Sequence, residues 1–363
     1  MTQSSAYRDP AVAAGLLDRI RDKAATFARP VTLMEVCGTH TMAIHEHGLR
    51  GLLPAGIRLV SGPGCPVCVT PIDYVDQALA LCRLPDTIIT TFGDMVRVPG
   101  SQTSLLEEKA RGADIRIVYS ALDAVSLARH NPDRQVVFLG VGFETTAPTV
   151  AGAILQAQQA GLDNFSVLCA HKTMPAPMQA LSADPDLQVD GYLCPAHVSA
   201  IIGADAYTEL TTRYRVPCVV TGFEPLDILQ GVDMLVSQIV GGIARVENQY
   251  CRYVKNAGNP RAQQLLTQVF EPCDARWRGL GLITASGLQI RAAYSFFDAA
   301  QRFGVTVAPA AEPLGCRCGE ILKGKLGPRD CPLFGQRCTP ATPVGACMVS
   351  SEGTCAAEYK YGF

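Results

Sequence analysis

Three groups of cysteines in this chain have neighbours that suit chemistry. The stretch S-G-P-G-C-P-V-C-V-T-P (61–71) sets Cys65 and Cys68 in a C-x-x-C flanked by glycine and proline. Proline fixes its own φ and restricts its predecessor, while glycine allows close backbone approach. The run therefore reads as a stiffly held, exposed loop that presents a thiol pair, with its backbone open to a neighbour. Metal binding, a disulfide and a thioredoxin-like redox role all stay open for it. The second group is E-V-C-G-T-H-T-M-A-I-H-E-H-G (35–48). Cys37 ends a strand, Gly38 permits a turn, and Thr39 can cap the helix that follows. A cysteine at a helix N-terminus has a lowered pKa, which makes it a better nucleophile and metal ligand. His40 is close enough to share that site, whereas His45 and His47 read as a solvated helix end.

The third group crowds the C-terminal tail: Cys316, Cys318, Cys331, Cys338, Cys347 and Cys355. After Cys318 the successive spacings are 13, 7, 9 and 8, with a single C-x-C. Zinc ribbons use paired C-x-x-C knuckles, which this tail lacks. Irregularly spaced thiolates among glycines and prolines suit an iron–sulfur cluster, which takes four cysteines. The expected ligands are Cys316, Cys331, Cys338 and Cys355, with Cys318 and Cys347 as a candidate redox pair beside them. The spacing does not separate Cys316 from Cys318. A zinc- or disulfide-stapled tail stays open as the alternative. Either way, a segment this poor in apolar residues needs a metal or cross-links to hold it. Most of the remaining cysteines (Cys82, Cys169, Cys194, Cys218, Cys251 and Cys273) read as small buried hydrophobes.

Elements of a particular kind must position these groups. β-Branched runs at 31–37, 57–62, 87–93, 115–120, 136–143, 165–171, 192–197 and 219–223 alternate with helical patterns. That alternation predicts an α/β protein with parallel sheets, and the length favours two of them. The expected architecture is two parallel-sheet α/β domains plus a small Cys-rich iron–sulfur C-terminal region. Its expected segments are an N-terminal helix (1–30), α/β domains at 31–134 and 135–240, a helical segment (241–310) and the Cys-rich region (311–363). Val12, Leu16, Leu17, Ile20, Ala24 and Phe27 give the first helix an apolar stripe. Gly-Phe-Glu recurs at 142–144 and 222–224, each time between a strand and a helix. Open α/β sheets gather functional groups at the carboxyl ends of their strands. By that rule Cys37, the Cys65/Cys68 loop, Asp94, Glu144, His171, His197 and Glu224 would converge. Cys37, His40, Cys65, Cys68, Asp94, Glu144 and His197 are the candidate catalytic residues.

Composition excludes several classes. The net charge is −2 and no lysine or arginine run exists, so nothing points to nucleic acid or an anionic membrane surface. There is no apolar run long enough to span a bilayer and no secretion signal, so a cytoplasmic protein is expected. Fifteen cysteines in a reducing compartment are ligands or catalytic thiols more often than structural disulfides. Neither a P-loop nor a dinucleotide fingerprint is present, which leaves ATP and NAD without support.

Read together, E-V-C-G-T-H, G-P-G-C-P-V-C-V-T-P, T-F-G-D-M-V-R-V-P-G-S (91–101), G-F-E-T-T-A-P-T (142–149) and the cysteine tail resemble the HypD family of [NiFe]-hydrogenase maturation proteins. The resemblance runs in family order from about residue 30 to the end. It implies two α/β domains, a [4Fe–4S] cluster in the tail, and a HypC-type chaperone as partner. Together the two proteins would carry an iron while cyanide and carbon monoxide are attached, with a HypE-type donor supplying cyanide as thiocyanate. The resemblance makes Cys37 the iron-holding cysteine and Cys65/Cys68 the essential pair. Two other classes remain: a stand-alone iron–sulfur thiol/disulfide oxidoreductase, and a non-redox zinc protein with an interaction role.

Overall fold

The computed structural model describes residues 6–362. Eight strands lie where the β-branched runs predict them: β1 (Val31–Glu35), β2 (Ile57–Ser61), β3 (Thr87–Thr91), β4 (Asp114–Ile117), β5 (Gln135–Gly140), β6 (Phe165–Cys169), β7 (Gly191–Pro195) and β8 (Cys218–Thr221). A short β9 (Val246–Asn248) follows. All pair in parallel, in two sheets ordered β2-β1-β7-β8-β9 and β4-β3-β5-β6. The central strands β3 and β8 are buried along their whole length, as strands covered by helices on both faces must be. The fold class is the expected one: α/β, two parallel sheets and a Cys-rich C-terminal region.

The sheets are interleaved in sequence. β1 and β2 pair into the sheet of β7–β9, while β3 to β6 form the other. A division at residue 135 therefore does not separate the sheets. Strand order depends on contacts between distant segments, which a local reading does not contain.

Residues 241–310 depart from the helical expectation. The helix Pro260–Val269 is there, but an antiparallel hairpin follows, made of β10 (Phe270–Trp277) and β11 (Gly281–Ile290). Burial along β10 alternates, the mark of a strand with one solvated face. Pro272 and the charged residues between its buried positions hide that alternation from a search for β-branched runs. Gly279 (φ +75°) and Gly281 (φ +84°) make the tight turn.

The first helix, Pro10–Ala24, starts at Asp9, whose carboxylate accepts from the Ala11 N–H at 2.8 Å. It buries Leu16, Ile20 and Ala24 against the helix Pro225–Val240, and Lys23 pairs with Asp233 there at 2.6 Å. No described helix is long and apolar enough to cross a membrane.

Candidate functional site

Cys37 follows β1 and opens the helix Gly38–Glu46. Its N–H donates to a Glu35 carboxylate oxygen at 3.0 Å, and the Gly38 N–H donates to the Gly64 carbonyl at 3.0 Å. Gly64 lies so close that a side chain there would collide with the Cys37 backbone. The stiff C-x-x-C loop is thus packed directly against the Cys37 turn. Thr39, Gly64, Thr145, His197 and Glu352 join Cys37 around an open cavity of about 320 Å³. Of the other expected residues, only His197 reaches this wall, its ring tilted against Phe223 at 4.1 Å.

The electrostatics differ from the sequence reading. Burial pushes the Cys37 thiol up to about 12, against hydrogen bonding to the His40 backbone, and the nearby Glu352 and Glu35 carboxyls add to the rise. Desolvation therefore outweighs the helix N-terminus, and Cys37 is protonated unless a cation joins it. Glu35 is fully buried and held by the Thr41 hydroxyl at 2.5 Å; burial raises it to about 7. Glu352 reaches over from the tail, accepts from the Thr39 hydroxyl at 3.1 Å, and fills the space a side chain at Gly38 would need. Sequence reasoning missed both carboxyls. The signal for Glu35 was a charged residue inside the apolar strand run V-T-L-M-E-V; Glu352, in S-S-E-G, gave none.

Cys65 and Cys68 are joined as a disulfide across the short helix Pro66–Val69, and both are buried, not exposed as the loop composition suggested. They belong to one apolar cluster with Cys318, Cys331, Cys338, Cys347 and Cys355. All six tail cysteines, including half-buried Cys316, line a single small cavity. A side chain at Gly345 would press on Cys316 Sγ, 3.0 Å away, so this position leaves room beside the thiols. Cys318 and Cys347 have their sulfurs 2.7 Å apart. Burial raises the Cys355 thiol well above the ordinary range, and the neighbouring Cys318, Cys338, Cys316 and Cys331 add to it. Among the described residues no three His, Cys, Asp or Glu side chains converge to hold a single metal ion. A cluster makes a different demand, since each of its irons takes one thiolate, so its cysteines ring a space. The donor set fits that group, and the Gly345 cradle is consistent with it.

Several expected site residues lie elsewhere. His40 is fully buried, with Nε2 facing the Thr221 and Gly222 carbonyls at 3.2 and 3.0 Å; burial lowers its pKa to about 4. It ties the Cys37 helix to the end of β8 and does not line the cavity. His45, expected in solvent, is buried between the Thr41 carbonyl (2.7 Å) and Glu358 (3.2 Å), which anchors the C-terminal helix Thr354–Tyr361. His171 is buried beside Cys169 at 3.4 Å, and Glu224 makes an ion pair with Arg8 at 2.6 Å. Two separate sheets have two separate strand rims, so the convergence expected of one rim is only partial.

Asp94 and Arg97 hold the tail. Asp94 accepts from the Ser350 hydroxyl at 2.8 Å, and Arg97 donates to the Val349 and Pro340 carbonyls at 3.1 and 3.3 Å. Arg97→Ala is expected to weaken tail docking by about 1 kcal/mol, seen as faster amide exchange across residues 340–361 with the sheets unchanged. Exchange confined to the Arg97 loop would contradict this role.

Glu144 is buried outside the cavity lining. One oxygen accepts from the Met174 N–H at 3.0 Å and the other has no partner. Burial raises its pKa from 4.5 to about 7. A carboxyl raised on folding binds more protons in the native state, so its contribution to stability falls as pH rises from about 4.5 to about 7. Glu144→Gln is expected to flatten that fall by about 2–3 kcal/mol, measured by denaturation across the window. An unchanged pH profile would show that Glu144 is ionised without cost.

A family model described as "HypD: Hydrogenase formation hypA family" matches residues 11–362. The hydrogenase maturation factor HypD of Rhodobacter capsulatus is 50% identical over 371 residues, covering 100% of this chain and 98% of that protein. Proteins of the same name from Azotobacter vinelandii and Escherichia coli K12 are 50% and 48% identical, each covering 98% of this chain and 96% of the relative. Near-complete coverage at half identity leaves no segment outside the likeness, and the chain belongs to the HypD family, whose named relatives are hydrogenase maturation factors.

Proposed function

We propose that this chain, paired with a HypC-type chaperone, is the scaffold on which iron receives two cyanides and one carbon monoxide during hydrogenase maturation. The Cys37 thiolate holds the iron cargo, and a [4Fe–4S] cluster is held by Cys316, Cys331, Cys338 and Cys355. The observation that carries this reading is that the Cys65–Cys68 loop packs on the Cys37 turn on one side and on the tail cysteines on the other. Glu352 of the tail lines the Cys37 cavity, while the tail cysteines and Cys65/Cys68 share one apolar cluster.

The chemistry of the residues supports it. A buried neutral thiol between Glu35 and Glu352 suits a cation, because metal binding displaces the thiol proton, which is released, and the carboxyls complement the charge. Thiolates are strong donors to the electron-rich iron that cyanide and carbon monoxide prefer. When bound, the cluster supplies electrons, which release of cyanide from a HypE-type thiocyanate donor consumes. Cys65 and Cys68 can pass between disulfide and dithiol in the layer that joins the two sites, and Cys318 and Cys347 are a second candidate pair. The cytoplasm is the compartment where free thiols of this number persist.

The disulfide gives some support to a stand-alone thiol/disulfide oxidoreductase, but that activity needs a substrate-facing pair. Cys65 and Cys68 are 3% and 0% exposed, which speaks against it. Metal and acid-labile sulfide analysis of anaerobically purified protein tests the reading. Equal iron and sulfide with broad brown absorption is expected; zinc without sulfide would sink it.

A further inference from the structure

The hairpin β10–β11 turns on a buried cation whose charge is only half accounted for. Arg278 follows Trp277 and its side chain is fully buried. Its Nε donates to Glu312 at 3.1 Å, but Nη1 and Nη2 have no hydrogen-bond partner. Arginine stays charged in proteins, and leaving the donors of a buried charge unmade is costly. Such atoms ask for an acceptor that the polypeptide does not provide.

The surroundings say which acceptor. The Arg278 N–H donates to the Val69 carbonyl at 2.8 Å, which pins the turn to the end of the Cys65–Cys68 helix. The next residue, Gly279, packs so closely on Gly319, beside Cys318, that a side chain on either would collide with the other. Arg278 thus stands between the Cys65–Cys68 loop and the C-x-C segment. Sulfur ligated to iron is an anionic, poorly solvated acceptor, suited to a guanidinium with two free N–H edges.

We propose that Arg278 is a positioning residue for the iron–sulfur cluster: its free Nη groups hydrogen-bond the sulfur of the cluster and its cysteines, and its charge raises the cluster's reduction potential. The proposal rests on the tail cysteines holding such a cluster. Hydrogen bonds and positive charge stabilise the more negative, reduced form, which gives the sign of the effect. The backbone bond to Val69 adds that the same residue fixes the distance from the cluster to Cys65 and Cys68.

The test is a redox titration of the full-length, anaerobically purified protein, followed by visible absorption, with resonance Raman spectra of the iron–sulfur stretches. Arg278→Met is expected to keep iron and sulfide content while shifting the potential downward and altering the Raman frequencies. Glu312→Gln, which removes only the outer partner, should leave the Raman frequencies unchanged. Where Arg278→Met does not fold, Arg278→Lys decides. It keeps the charge but loses the planar fork, so altered Raman frequencies with a smaller downward shift are expected. A cluster-bearing Arg278 variant with wild-type potential and wild-type frequencies would overturn the proposal alone. Wild-type protein lacking iron and sulfide would overturn the cluster reading and the proposal with it.

Discussion

Cys37→Ala is expected to leave the iron–sulfur cluster intact and to abolish the cyanide and carbonyl infrared bands of the complex with a HypC-type partner. The separation of effects follows from how the turn is built. Its backbone is held by the Cys37 N–H to Glu35 and the Gly38 N–H to Gly64, neither of which involves the sulfur. Alanine keeps both bonds and removes one buried atom, so the change in stability is about 1 kcal/mol. The tail cysteines lie in a different cavity and keep their mutual packing. What disappears is the one thiol on the wall of the larger cavity. Glu35 and Glu352 would remain, but carboxylates are weak donors to an iron that carries cyanide and carbon monoxide. Bands of wild-type intensity in this variant would remove Cys37 from the role of anchor.

Cys338→Ala is expected to give the opposite pattern: loss of the brown chromophore, loss of iron and sulfide, and a tail open to proteolysis. Residues 331–338 fold back on themselves through Cys338 N–H to Leu333 at 2.8 Å and Gly335 N–H to Cys338 at 3.1 Å. The Cys338 sulfur also accepts from the Val344 N–H at 3.3 Å. The thiol is therefore preset on its loop, buried and aimed at the common cavity. Because a small domain of this kind folds with its metal, losing one ligand costs folding free energy as well as metal. Glu352 and the Asp94–Ser350 bond belong to the same tail, so the Cys37 cavity should lose its Glu352 wall too. Full iron and sulfide content in Cys338→Ala would contradict its place among the ligands.

The sequence made the parallel strands legible because each is a buried β-branched run, the strongest local signal an α/β protein gives. β10 and β11 were not legible, since a hairpin solvated on one face interleaves charge with apolar residues and includes Pro272. The strand-end rule found Cys37, the Cys65–Cys68 loop and His197, which meet or adjoin at one cavity. It overreached at Asp94, which clamps the tail, and at Glu144, buried apart from that cavity. Which rim a strand end joins depends on sheet order, and that order is set by non-local pairing. The expected depression of the Cys37 pKa failed for a matter of magnitude. A helix N-terminus is worth at most ~2 kcal/mol, and this helix end is buried with two carboxyls beside it. His40 looked like a partner because it is near in sequence, but its ring is taken up by the Thr221 and Gly222 carbonyls at the end of β8 and does not line the cavity.

The measurement that bears most directly on the central claim is the infrared spectrum of the wild-type chain isolated anaerobically with a HypC-type partner from cells that also supply a HypE-type donor. An iron scaffold of this kind predicts cyanide stretches together with one carbonyl stretch, from iron present beyond that accounted for by the cluster. A complex that holds the extra iron and yet has no cyanide or carbonyl absorption would contradict the account.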